Sequence, residues 1–174
     1  MKKTIVLSLA ALALAPVLFA QQVKNPVSTV VRTMLERQQK NLTTAASEMP
    51  AAKYSYSPTP EQMSFAHLVI HITQSNYGLC SLLADLPAHK AFDPTGKEGK
   101  DDLVAALKDS FEFCGKAVAA MDDSKLGGMV KGHHGEPEPR AWAAIALTND
   151  WADHYSAAAM YLRLNGMLPP TAKK

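Results

Sequence analysis

The chain has 174 residues, with 18 Lys and Arg against 16 Asp and Glu. That length holds one domain of ordinary size and excludes two. The near-even charge gives no electrostatic ground for a nucleic-acid partner.

Residues 1–20 differ from the rest. Lys2 and Lys3 form a basic start, an apolar run from Ile5 to Ala20 is broken by Pro16, and Gln21 begins polar sequence. This is the layout of a secretory signal peptide, with cleavage expected after Ala20. The uninterrupted apolar stretch is short for a bilayer span of about 20 residues. Residues 21–174 are therefore expected as one periplasmic or secreted domain, off the membrane once the signal is cut. Loss of Lys2 and Lys3 leaves 16 basic and 16 acidic residues, a neutral mature chain.

A first helix is predicted from about Pro26 to Glu48. Val27, Val30, Val31, Met34, Leu35, Gln38 and Leu42 recur at three- and four-residue steps, the period of an amphipathic helix. Pro50 ends it. After a connector bearing Tyr54 and Tyr56, a second helix is predicted to open at Thr59-Pro60-Glu61-Gln62. Thr59 suits the N-cap, Pro60 the first turn and Gln62 the reciprocal capping position. Phe65, Leu68, Val69, Ile72, Leu79, Leu82 and Leu83 carry its apolar stripe as far as Pro87.

Asp101 and Asp102 favour the start of a third helix through the dipole. Its stripe is Leu103, Val104, Leu107, Phe111, Cys114, Val118 and Met121. The stretch through Gly127-Gly128 and on from Gly132 to Pro139 reads as irregular. A fourth helix is expected from near Pro139 to Asn165, with Gly166 just past its end and Pro169-Pro170 blocking continuation. Strand signals are missing: there is no β-branched alternation and alanine is abundant. The expected fold is all-α, an antiparallel four-helix bundle.

Cys80 and Cys114 both fall in helical patterns. An oxidising compartment permits a disulfide between them, and two separate buried thiols fit the same pattern. Neither lies in a CxxC or Cys-His cluster, so thiolate metal binding has no support.

The chemistry-bearing residues lie on the second and fourth helices. His67 and His71 are four apart and share a face, which Ser75 and Gly78 extend. Asp150 and His154 are also four apart, flanked by small alanines. Imidazoles and a carboxylate on separate rigid helices can converge on one divalent cation, leaving a position for water or substrate. Spacing alone does not distinguish this from hydrogen-bonded core histidines. His133 and His134, in a Gly/Pro-rich loop, read as solvated, and His89 as a cap or surface residue. Asn76, Tyr77, Tyr155, Arg163 and Asp153 lie near the ligand positions, but packing or surface solvation is the plainer reading for each. Trp142 and Trp151 read as core or interface aromatics.

The residues 54–65, Tyr-Ser-Tyr-Ser-Pro-Thr-Pro-Glu-Gln-Met-Ser-Phe, resemble the lead into the second helix of the DinB/YfiT-like family. His71-Ile72-Thr73 with Asn76-Tyr77 resembles that family's first ligand helix. Asp150 to Ser156 and the closing Tyr161-Leu162-Arg163…Gly166…Pro169-Pro170 resemble its last helix and tail. The resemblance covers essentially the whole mature chain. It implies a four-helix bundle holding one divalent metal, zinc, nickel, iron or manganese, through one histidine of helix two and an H-x3-H pair of the last helix. His71 matches the first of these and His154 the third, while Asp150 stands where a histidine is usual. A carboxylate there can still ligate, giving a two-His, one-carboxylate set. The same substitution fits a bundle that has lost its metal, and His67 is a substitute third imidazole.

Known relatives include thiol-dependent transferases. Low-molecular-weight thiols are scarce outside the cell membrane, so that chemistry transfers poorly to an exported chain. Two functions follow: a metal-dependent hydrolase or group-transfer enzyme acting on a small molecule, or a non-catalytic helical bundle, with or without metal, monomeric or dimeric through a helical face.

Overall fold

A computed structural model describes residues 23–86, 89, 92–132 and 135–173. The expected signal segment, Pro87 and the His133-His134 pair lie outside the described residues. Four helices dominate: α1 (Pro26–Glu48), α2 (Phe65–Ser81), α3 (Lys100–Ala119) and α4 (Arg140–Leu164). Among the described residues, no helix is long and apolar enough to cross a membrane.

The helices pack as a ring. α1 and α2 each lie against both α3 and α4. One core runs through all four, with Leu42, Phe65, Ile72, Leu107, Phe111, Leu147, Trp151 and Leu162 nearly or fully buried. Burial of such side chains contributes about 1.5–3 kcal/mol each.

Direction within the ring follows from the cross-helix pairs. Ser28 of α1 reaches Met121, just past α3, and Ser47 meets Lys100 at the start of α3, so α1 and α3 are antiparallel. Phe65 meets Tyr161, His71 meets His154 and Asn76 meets Trp151, so α2 and α4 are antiparallel. Asn76 pairs with Ser110 and Cys80 with Cys114, so α2 and α3 run parallel. It follows that α1 and α4 are parallel as well. The expected four-helix bundle is present, and antiparallel packing holds for two of its four neighbouring pairs. The reason is the connector 82–99, long enough to carry the chain back to the other end before α3 begins.

α1 and α4 begin and end within a residue of expectation. α4 is followed by Gly166 at φ 74°, a left-handed position that glycine adopts without Cβ strain. α2 does not start at Thr59. Thr59 to Gln62 forms only a turn, closed by Gln62 N–H to the Thr59 carbonyl. The helix starts at Phe65, capped by Ser64 Oγ, which accepts from His67 N–H at 3.2 Å. Tertiary contacts decided this. The first N–H groups of a helix need outside acceptors. Here Phe65 and Ala66 donate to the carbonyls of Tyr56 and Tyr54 in the connector, at 3.0 and 2.8 Å. α2 also stops at Ser81, before Pro87.

The stretch expected to be irregular contains a short ladder. β1 (Met129–Lys131) pairs antiparallel with β2 (Pro137–Pro139), Val130 opposite Glu138. Prolines at both ends of β2 donate nothing to a ladder and sit where an edge strand tolerates them. Gly132 closes the hairpin by donating to the Glu136 carbonyl at 2.8 Å. A Cβ on Gly132 would lie 2.6 Å from Glu138 Cγ, so this close approach requires glycine.

The two cysteines are joined as a disulfide tying α2 to α3, with Cα atoms 5.2 Å apart.

Candidate metal centre

α2 and α4 face one another where His71, Asp150 and His154 meet. Each offers one ligand atom, and the three atoms lie within 4.8 Å of one another. The imidazole centroids of His71 and His154 are 4.7 Å apart, with planes inclined by 37°. Convergence follows from helix geometry: Asp150 and His154 are one turn apart on one face of α4, and His71 opposes them from the antiparallel α2.

His154 Nδ1 lies 2.7 Å from the Asp150 backbone carbonyl oxygen and 3.4 Å from Asp150 Oδ1. A carbonyl oxygen only accepts, so Nδ1 carries the proton. Nε2 then keeps its lone pair, the tautomer a metal-binding imidazole needs.

Asp150 has a side chain only 16 % exposed. Burial pushes its carboxyl above the usual range, against the pull of the His154 and His71 imidazoles and the Ser75 hydroxyl. Its Oδ2 is buried with no hydrogen-bond partner among the described residues. An unsatisfied buried carboxylate oxygen costs free energy that a cation would recover. The donor set and this orphan oxygen together fit a divalent cation. The set does not select among zinc, nickel, iron and manganese.

A cleft of about 850 Å³ opens beside this group, between α2, α4 and the β1–β2 hairpin. His71, Ser75, Gly78 and Asp150 form its inner wall, so the face anticipated on α2 does line it. Trp142, Lys131, Glu136 and Glu138 also border it. Sequence reasoning missed this outer wall, because hairpin pairing has no periodic signature over three-residue strands. Gly132 and Gly135, followed by Pro137 and Pro139 on either side of Glu138, were the available signs of a turn.

The remaining candidates lie elsewhere. His67 is exposed on α2 and takes no part in the group. Asn76 belongs to the core: Trp151 Nε1–H donates to its Oδ1 at 2.7 Å, and its Nδ2 donates to Ser110 Oγ at 2.9 Å. The Tyr77 hydroxyl donates to Asp109, and its ring stacks on that of His89 at 4.1 Å. Tyr155 bonds Thr171 in the C-terminal tail. Asp153 and Arg163 are exposed.

Comparison with known proteins agrees with the fold. No curated protein matches the chain. Solved structures share the fold, among them the following two. A DinB-like protein, YjoA, from Bacillus subtilis superposes with a TM-score of 0.66 at 15 % identity, covering 83 % of this chain and 99 % of that one. A conserved protein from Enterococcus faecalis superposes with a TM-score of 0.61 at 17 % identity, covering 82 % and 98 %. The family model described as the DinB superfamily matches residues 34–157, most of the chain, a span that contains His71, Asp150 and His154. The chain belongs to the DinB superfamily.

Proposed function

We propose that the protein is a divalent-metal-dependent enzyme of hydrolase or group-transfer type, acting on a small molecule in the cleft between α2, α4 and the hairpin. The observation that carries this is the convergence of two imidazoles and a half-buried carboxylate, one of whose oxygens has no partner among the described residues, at the wall of a substrate-sized cleft. His71, Asp150 and His154 would hold the ion. Bound there, a divalent cation would supply Lewis acidity, polarising a substrate oxygen or acidifying a water.

The chain's own residues do the rest. The His154 Nδ1 contact to the Asp150 carbonyl fixes ring orientation and tautomer before any ligand arrives. Packing of α4 against α2 holds the three donors together without a loop rearrangement, which preorganises the site. Ser75, next to Asp150, offers a hydroxyl that can donate to the carboxylate or to a bound molecule. Leu79, Leu82 and Ala146 keep the neighbouring cleft wall apolar and limit water there.

We also propose export. The basic-then-apolar start of the chain and the Cys80–Cys114 disulfide both support it, since disulfides persist in oxidising compartments.

The test is elemental analysis of protein purified from the periplasm. One equivalent of metal is expected, lost in His71→Ala and His154→Ala. A metal-free protein whose melting temperature ignores added divalent ions would leave only the helical scaffold. Tight stoichiometric metal with no hydrolysis or transfer across a broad ester, amide and thiol panel would favour a structural ion.

A further inference from the structure

We propose that the cleft takes an elongated molecule with an apolar body and a cationic amine, the body laid against Trp142 and the amine received by Glu138. The proposal rests on the metal-centre reading for the reacting end of that molecule, and on the hairpin for the other.

Length comes first. The cleft follows α2 from His71 to Leu82 and α4 back from Asp150 to Trp142. At 1.5 Å per residue these are runs of about 16 and 12 Å. A molecule reacting beside His71 and Asp150 therefore reaches the hairpin only if it extends along the groove.

The middle of the groove is apolar. Leu79, Leu82 and Ala146 line it, and the half-buried Trp142 adds a large aromatic surface. Such walls favour an alkyl or ring-bearing body.

The far end is acidic. In the ladder Glu138 stands opposite Val130, and both are half-buried, whereas their neighbours Met129, Lys131, Pro137 and Pro139 are exposed. Alternation along a strand sends successive side chains to opposite faces. Glu138 and Val130 thus share the sheltered face, and Glu138 borders the cleft. Gly132 makes room for the Glu138 side chain, whose Cγ would lie 2.6 Å from an added Cβ.

Among the described residues Glu138 has no ion pair and no side-chain hydrogen bond. The cation nearest at hand, Lys131, borders the same cleft but is exposed, and among the described residues it forms no ion pair with Glu138 or Glu136. A half-buried carboxylate at the end of an apolar groove is the complement of an ammonium group. Among the described residues, an anionic head there would meet the carboxylates of Glu136 and Glu138 with Lys131 alone to offset them.

The test compares two probes on the full mature protein loaded with zinc: 4-phenylbutyl-trimethylammonium and 4-phenylbutanol. The first carries the charge but no lone pair for a metal, so a difference between them reports the hairpin end. Calorimetry should show the cation binding about tenfold tighter or more, with the gap narrowing as salt is raised. Glu138→Gln should bring the cation down to the alcohol's affinity and leave the alcohol unchanged. Trp142→Ala should weaken both probes alike.

Equal affinities in the wild type, or a preference that survives Glu138→Gln, would overturn the proposal. Metal content measured on the same samples, and the same titration on His71→Ala, separate this outcome from failure of the metal centre. Metal bound without cation preference removes the amine inference alone. Cation preference without metal keeps it and removes the metal.

Discussion

Two neighbouring residues of α4 take opposite solutions to the same problem. Trp151 and Asp150 both bring polar atoms into the interior between α2 and α4. Trp151 is fully buried, and its N–H is answered by Asn76, which is answered in turn by Ser110 of α3. Asp150 is left with an oxygen that has no partner among the described residues and a carboxyl that burial makes hard to ionise. One polar group closes a structural network and the other leaves an oxygen without a partner among the described residues. The contrast shows how a small bundle keeps a closed polar network and an open donor group one residue apart: the network holds the helices in place, and the same packing holds His71, Asp150 and His154 together.

The strongest way to break the comparison is on the closed side. Trp151→Ala should lower unfolding free energy in urea by about 5 kcal/mol, the sum of lost burial and an orphaned Asn76 amide. Replacing both cysteines by alanine should cost about 4 kcal/mol, because the Cys80–Cys114 bridge closes a separation of 34 residues in the unfolded chain. Its readout is the denaturation midpoint, unchanged by reductant in the variant.

The open side should respond to ligand instead. Zinc at a hundredfold excess over its dissociation constant should stabilise the wild type by about 2.7 kcal/mol, and should leave the melting temperature of His71→Ala unmoved. Without metal, Asp150→Asn should cost nothing or add up to about 1 kcal/mol, since it removes a carboxylate that burial disfavours. A large loss in that variant would mean the carboxylate serves the fold after all.

The smallest effect tests a site remote from both. Asp123 accepts from the Ser28 hydroxyl and from the N–H groups of Ser28 and Val27, holding the start of α1. Desolvation opposes ionisation there, yet these hydrogen bonds outweigh it and keep the carboxyl below its usual range. A lowered folded-state value contributes stability that is complete above about pH 4 and is lost as pH falls through the folded value. Asp123→Asn should flatten this acid limb of the stability curve without changing metal retention at neutral pH.

The long helices were legible because their apolar period runs unbroken for five turns or more, as in Val31, Leu35 and Leu42 of α1. Caps were legible where the signal is local, as at Gly166. The start of α2 was not, because its first donors are satisfied by Tyr54 and Tyr56 carbonyls, partners the local pattern does not reveal. Asp150 and His154 could be paired by spacing within one helix, and resemblance alone brought His71 to them. The roles of Asn76 and Trp142 were out of reach, since nothing in their local pattern says whether a neighbour supplies a bond or leaves a gap.

By itself, then, the sequence determined that the chain is helical, where most helices begin and end, and which two helices carry the imidazoles. Those properties depend on neighbours within a turn or two. The tertiary structure decided that α2 and α3 run parallel, that Cys80 meets Cys114, that a hairpin walls the cleft, and that one oxygen of Asp150 is left open. Each depends on contacts between residues far apart in the chain, which local periodicity does not encode.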